Sequence, residues 1–157
     1  MNKKQTEILS DYVLHSALHM LTLEEQCLKH ICASDLSVRE LHVIEAVSCL
    51  AQSEKNTMAE TAKHLRVSPA SLTAAVNVLV KKGYLEREYS PVDRRVIYIN
   101  LTELGYEANR KYLGFVRDLM VYIGEDLDEE SADKMIDVLM KAVEYFERAA
   151  DGDVSFK

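Results

Sequence analysis

The length and composition of the chain are those of a globular domain and exclude a fibrous or disordered protein. It has 157 residues, of which 48% are hydrophobic and 29% charged, and it contains two prolines and no tryptophan. These proportions suit a helix-rich fold with a sizeable core. No apolar run reaches the length of a membrane span and no signal peptide is visible, so we expect a cytoplasmic protein with no membrane partner.

The first part of the chain contains three helical segments. Residues 5–32 carry apolar side chains at helical spacing, over a stripe that is too wide for a helix facing solvent on one side. A second helix starts after Ser37, and Glu40 three positions later completes a capping box. Thr57 and Glu60 predict the start of a third helix by the same pattern.

A fourth helix over residues 68–82 has two different faces. Ser68 can cap it and Pro69 suits its first turn. At 100° per residue the inward face carries Leu72, Val76 and Leu79. The outward face is small and uncharged at its start and basic at its end, which favours insertion into a DNA major groove, although an ordinary solvent-facing helix would have similar residues. We assign to that groove Ser68, Ala70, Ser71, Thr73, Ala74, Asn77 and Lys81.

A β-hairpin follows this helix directly. Residues 84–89 and 96–101 have alternating side-chain types or consecutive β-branched residues, which is typical of strands. A proline-containing turn lies between them. Arg94 and Arg95 follow the turn, where they cannot both face a core. One of them would fit a narrow DNA minor groove, and Asp93 would pair with one of them. The alternative is a salt-bridged hairpin on the surface.

Charge is distributed unevenly along the chain. The formal net charge is −7, which by itself disfavours a nucleic-acid partner. Residues 57–102, however, contain seven basic and four acidic residues, a net +3, whereas the rest contains twelve and twenty-two, a net −10. A basic lobe on an acidic body is compatible with DNA binding, and it predicts only modest non-specific affinity.

Two long helices end the chain. The first runs from Thr102 to about Gly124, and the second, capped by Asp128, runs to about Ala150. The predicted fold class is therefore mainly α with a small β-hairpin wing, a winged helix-turn-helix with about six helices. By length, residues 1–157 form a single domain.

The stretch from Ser71 to Gly105 resembles the signature of the MarR family of bacterial transcription regulators. The matching residues are Ser71-Leu72, Leu79, Gly83-Tyr84-Leu85, Asp93-Arg94-Arg95, Thr102 and Gly105. Ala74 departs from the family, which usually has a polar or basic residue or glycine at that position. The resemblance implies a homodimer that binds double-stranded DNA at a pseudo-palindromic operator.

The same resemblance implies a division of labour along the chain. Residues 37–102 would form the winged-helix DNA-binding lobe, and residues 5–35 and 103–150 would form dimerisation helices. A narrower similarity links the chain to the FabT subgroup. It covers Glu24-Glu25, the run from Leu36 to Ile44, Leu72-Thr73, Asn77, the run from Lys81 to Arg87, and Asp93-Arg94-Arg95-Val96.

Members of the FabT subgroup repress fatty-acid biosynthesis genes, with long-chain acyl-acyl carrier protein as corepressor. The similarity implies the same regulation here. Family geometry places a ligand pocket at Tyr12, His19, His42 and Tyr112. An alternative within the family is a sensor of small phenolic ligands or oxidants, and an alternative from another class is a helical protein-binding adaptor.

Metal and redox chemistry have weaker signals. Three cysteines, Cys27, Cys32 and Cys49, lack metal-ligand spacing. His15 and His19 have the i, i+4 spacing of a metal clamp on a helix. Zinc-sensing relatives, however, draw ligands from the helix after the wing, which contains no histidine here. We predict neither a metal site nor another cofactor.

Enzymatic function has little support in the sequence. The chain has no glycine-rich phosphate loop and no recognisable nucleophile–base arrangement, so we expect no enzyme. The acidic pair Glu24-Glu25 and the cluster at 126–130 predict solvated charge and helix capping.

Overall fold

The computed structural model describes residues 1–31 and 35–153. Its elements are α1 (Lys3–Ile31), α2 (Val38–Ala51), α3 (Met58–His64), α4 (Pro69–Lys81), β1 (Leu85–Tyr89), β2 (Ile97–Leu101), α5 (Glu103–Gly124) and α6 (Glu129–Ala150). The predicted mainly helical fold with a hairpin wing is confirmed. Contacts divide the chain into one unit from Met1 to Phe115 and another from Val116 onward. The single-domain assignment therefore stays a prediction.

Local capping sets the helix starts where the sequence places them. Ser37 and Glu40 form the full capping box at α2. Thr57 accepts a hydrogen bond from the Glu60 backbone N–H at the start of α3. Asp128 does the same for the Ser131 N–H at α6, with an Oδ1 to N distance of 2.8 Å. These contacts satisfy N–H groups that have no intrahelical partner.

The core of the first unit lies between α2, α4 and the hairpin. Its side chains are apolar and come from helices and strands far apart in the sequence. Those with no more than 1% exposure include Leu41, Ile44, Val47, Leu72, Val76, Leu79, Leu85 and Ile99. The strands pair antiparallel, with Leu85 opposite Leu101 and Tyr89 opposite Ile97. Asn56 accepts at its carbonyl from the Ile99 N–H at 2.8 Å, which adds the segment before α3 to the edge of β2.

Thr102 and Gly105 join the hairpin to α5. The Thr102 Oγ1 lies 2.6 Å from the carbonyl oxygen of Gly83 and accepts from the Gly105 N–H at 3.2 Å. A Cβ on Gly105 would lie 2.2 Å from the carbonyl oxygen of Tyr84. Gly83 itself ends α4 with a φ of +81°, which favours glycine. These two family-signature glycines are thus required by backbone geometry.

Long apolar faces remain exposed on the terminal helices of the described chain. None of the residues of α6 is buried, and its exposed apolar side chains include Ile136, Leu139, Met140, Val143 and Phe146. Ile8 and Tyr12 on α1 are similarly exposed. Of the helices in the described residues, none is both long and apolar enough to cross a membrane.

Candidate nucleic-acid interface

Helix α4 presents the two faces that its sequence predicts. Leu72, Val76 and Leu79 are buried to 1% exposure or less, so they hold the helix against α2 and the hairpin. The opposite face is open to solvent. It carries Ala70, Thr73, Ala74, Asn77 and Lys81, all exposed, with Ser68 and Ser71 at its start.

Several hydroxyl groups on this face already have partners within the helix. The Ser68 Oγ accepts from the Ser71 N–H at 3.1 Å and lies 2.8 Å from the Ser71 Oγ. Thr73 donates its hydroxyl proton to the Pro69 carbonyl at 2.8 Å. Since that proton is in use, Thr73 has only its oxygen lone pairs to offer a base edge.

Asn77 is held by a residue of the wing. The Arg87 Nη2 donates to the Asn77 Oδ1 at 2.7 Å, which links β1 to the exposed face of α4. Arg87 is half-buried and lies opposite Ile99 in the strand register. The sequence did not predict this contact, although the strand alternation puts Arg87 on the same side of β1 as buried Leu85.

The wing tip is an ordered turn that exposes two arginines. The buried Ser90 Oγ accepts from the backbone N–H groups of Val92 and Asp93, each at 3.3 Å. The Asp93 Oδ1 accepts from the Arg95 backbone N–H at 3.0 Å and lies 3.6 Å from the Arg95 Nε. Of the two arginines, Asp93 therefore pairs with Arg95, whose side chain is 95% exposed.

A half-buried ion pair ties the end of α4 to the start of α2. The Lys82 Nζ donates to both Glu40 carboxylate oxygens, at 2.8 and 2.9 Å, and to the Asp35 carbonyl. Burial raises the pKa of Glu40, but hydrogen bonds from Lys82 and Ser37 outweigh it and hold that pKa below its ordinary value of 4.5. The buried Tyr84 adds a bond from its hydroxyl to the Asp35 Oδ1 at 2.9 Å.

Two of the four predicted ligand-pocket residues converge on one carboxylate. The Glu24 Oε1 accepts from the Tyr112 hydroxyl at 2.9 Å and lies 3.1 Å from the His42 Nε2. Glu24 is only 7% exposed, so its prediction as solvated charge was wrong. Both contacts reach Oε1, and they help to explain why a carboxylate is tolerated there, because buried polar atoms need such partners. Glu24 joins α1, α2 and α5 at a single point.

The other two predicted pocket residues are not part of that cluster. Tyr12 is 70% exposed, and His19 is exposed further along the same helix. The His15 Nδ1 lies 2.9 Å from the Asp11 carbonyl and 3.3 Å from its carboxylate. Over residues 1–31 and 35–153, the structure holds no group of three or more His, Cys, Asp or Glu side chains able to bind a metal ion.

Of the three cysteine side chains, the structure describes that of Cys49 alone. Cys49 is a free, exposed thiol on α2. Cys32 and the side chain of Cys27 lie outside the described residues. The oxidant-sensing alternative therefore stays a prediction.

A cleft of about 410 Å³ lies between α1 and α2. Apolar side chains of Leu28, Leu36 and Val38 line it, together with the charged residues Glu25, Lys29 and Arg39. Its lining thus combines an apolar surface with two cationic side chains and one carboxylate.

Comparison with known proteins agrees with this geometry. The MarR family model matches residues 39–97. The crystal structure of FabT from Streptococcus pneumoniae in complex with DNA superposes with a TM-score of 0.81 at 26% identity, covering 92% of this chain and 99% of that one.

Two curated relatives carry the name transcriptional regulator AdcR. The protein from Streptococcus pneumoniae serotype 2 is 37% identical over 73 residues, which are 46% of this chain and 49% of that protein. The protein from Streptococcus pyogenes serotype M6 is 26% identical over 142 residues, 90% of this chain and 95% of its own length. In the first three curated relatives the chain spans between 39% and 61% of the length. With the winged-helix lobe described above, these matches show that residues 39–97 are those of the MarR family, a family of DNA-binding transcriptional regulators.

Proposed function

We propose that the chain is a homodimeric repressor that binds a pseudo-palindromic DNA operator through α4 and the wing. The observation that carries this proposal is the combination, on one lobe, of a small-residue exposed face on α4 and an arginine-bearing wing tip. Each α4 would enter a major groove, while Arg94 or Arg95 would enter the adjoining minor groove. The half-sites would then lie about one helical turn apart.

The dimer is proposed from the exposed apolar faces of the terminal helices. Leu139, Val143 and Phe146 on α6 are each more than half exposed, and such faces normally meet a partner. A second copy is the partner that a two-fold operator requires, because a palindrome mirrors the symmetry of the protein. The partner surfaces of α1 and α6 would set the spacing of the two lobes.

The regulated genes and the ligand are proposed from the similarity to FabT. We propose repression of fatty-acid biosynthesis genes, with long-chain acyl-acyl carrier protein as corepressor. The cleft between α1 and α2 supports this, because Leu28, Leu36 and Val38 offer apolar surface for an acyl chain, and Lys29 and Arg39 offer charge for a phosphate linker. The ligand would act by favouring the DNA-competent arrangement of the lobes.

A gel-shift titration tests both levels of the proposal. The DNA would come from this gene's own promoter and from fatty-acid synthesis promoters, and binding would be measured with the acylated carrier and with the same carrier lacking the acyl chain. Tighter binding with the acylated carrier alone would support the lipid-responsive repressor. Equal binding with both would remove the corepressor and leave the DNA-binding regulator. Absence of specific binding to any DNA would favour the protein-binding adaptor.

If the acylated carrier changes DNA binding, a variant can locate the site at which the acyl chain binds. Val38→Asp places a charge in the apolar part of the cleft, outside α4 and the wing. We expect it to bind DNA as the wild type does but to lose the response to the acylated carrier. An unchanged response would show that the acyl chain binds elsewhere.

A further inference from the structure

Arg87 determines which atoms of Asn77 face the outside of the lobe. Its guanidinium carries only hydrogen-bond donors, so the carboxamide atom that it contacts must be the oxygen. The contact is short, at 2.7 Å between Nη2 and Oδ1, and it spans ten positions of the chain. Arg87 thereby fixes the rotation of an exposed amide that would otherwise turn freely.

The position of Arg87 makes this contact a feature of the fold. Its neighbours on the same side of β1 are Leu85, which is buried, and Tyr89. The backbone of β1 is paired with β2, and Arg87 itself is half-buried. The guanidinium therefore approaches α4 from a strand that cannot shift without breaking the hairpin register.

The orientation has a consequence for base recognition. With Oδ1 directed at β1, the Nδ2 group is the polar part of Asn77 left to face a DNA groove. An asparagine that reads adenine needs both atoms, because Oδ1 accepts from the adenine N6 amine while Nδ2 donates to N7. An amide restricted to donation keeps only the bond to adenine N7 and leaves the adenine N6 amine unpaired, whereas guanine offers it two acceptors, O6 and N7, and thymine offers O4.

We infer that Arg87 is a specificity-determining residue: it sets Asn77 to act as a hydrogen-bond donor, so that the operator has guanine or thymine, and not adenine, at the base that Asn77 contacts. The inference rests on the proposed function, since it requires α4 to lie in a major groove. Arg87 contributes by orienting Asn77, and its own charge adds a separate, sequence-independent attraction to phosphate.

The experiment first selects an operator for the wild-type dimer from a pool with a randomised half-site. Asn77→Ala then identifies the base pair at which discrimination is lost. Affinities for all four bases at that pair are compared for the wild type and Arg87→Met, which keeps an apolar stem but has no donor. Lys63→Met is the matched control, because it removes one exposed positive charge from the same lobe outside α4.

We expect the wild type to favour guanine or thymine over adenine by about 5-fold or more at this pair. Arg87→Met should weaken binding to every sequence and, in addition, raise the affinity for adenine relative to guanine by a similar factor. Lys63→Met should weaken all four sequences equally.

Two results would overturn the inference while leaving the regulator intact. One is a wild-type preference for adenine at the Asn77-dependent pair. This result does not depend on whether the Arg87 variant folds. The other is an Arg87→Met profile parallel to that of Lys63→Met. Failure of the wild type to select any sequence would overturn the proposed function together with the inference.

Discussion

Removing the amine of Lys82 tests how the end of α4 is held against the rest of the lobe. The Glu40 side chain is 13% exposed and that of Lys82 is 25% exposed, so the pair is partly shielded from water. Lys82→Met removes the charge-assisted hydrogen bonds to both carboxylate oxygens and leaves the Asp35 carbonyl without this donor. Such bonds contribute roughly 1.5–3 kcal/mol, and an unpaired buried charge costs more.

The expected loss lies near the lower end of that range. Glu40 keeps its bonds from the Ser37 N–H at 2.7 Å and the Ser37 hydroxyl at 2.9 Å, so the carboxylate does not become isolated. We expect Lys82→Met to lower the free energy of unfolding by about 2 kcal/mol at neutral pH. For a chain of this size, that corresponds to a fall in Tm of about 4–8 °C.

The ion pair between Lys82 and Glu40 should also make the free energy of unfolding depend on pH. The pKa of Glu40 is lowered in the folded state, so its contribution is present above the ordinary value of 4.5 and is lost as the pH falls through the lowered value. The difference between wild type and Lys82→Met should therefore be largest near neutral pH. It should shrink as the pH falls below about 4.5.

Urea denaturation at pH 7, 5 and 4 measures these differences directly. Lys81→Met is the matched control, because Lys81 is the exposed neighbour and its loss should change stability by no more than about 0.5 kcal/mol. Equal unfolding midpoints for the two variants would refute the reasoning. A difference that does not change with pH would assign the loss to the Asp35 carbonyl bond or to packing of the lysine stem, and not to the ion pair with Glu40.

Four further changes have defined outcomes. Arg94→Ala should weaken operator binding and lower the slope of log K against log salt by about one, as measured by fluorescence anisotropy. Asn77→Ala should change discrimination at one base pair by about 1–3 kcal/mol, and equal binding of all operator variants would place the reading face elsewhere. Gly105→Ala should cost about 1–3 kcal/mol in chemical denaturation, because its Cβ meets the Tyr84 carbonyl, whereas Gly114→Ala meets nothing within 4 Å. Leu139→Glu on α6 should shift the dimer towards monomer in light scattering, with no change in helix content.

The sequence predicted the features that depend on neighbouring residues. The cap at Ser37, the inward stripe of α4 and the C-terminal Gly83 all follow from contacts within a few positions, and each has the expected geometry. Helical periodicity and capping chemistry are enough for such features. The residue pattern of the two strands likewise predicted the hairpin, and the predicted strand ends lie within one residue of the observed ones.

Contacts between distant residues were beyond the reach of these patterns. Glu24 contacts His42 across 18 positions and Tyr112 across 88, whereas the local pattern indicates only a pair of acidic residues on a long helix. Arg87 alternates with buried residues, which signals its face but not its partner on α4. Which polar side chains meet depends on how helices pack, and local periodicity does not encode that.

The net charge of residues 37–102 bears on how this lobe would select DNA. Over residues 37–102 there are nine basic and seven acidic residues, a net charge of only +2. Two of the basic side chains are also paired with acids, Lys82 with Glu40 and Arg95 with Asp93. Long-range attraction to phosphate would therefore be weak in this lobe, and in the proposed complex the affinity would come from close contacts in the grooves. Because those contacts depend on shape and donor pattern, the orientation of Asn77 and the wing tip should affect specificity more than the total charge does.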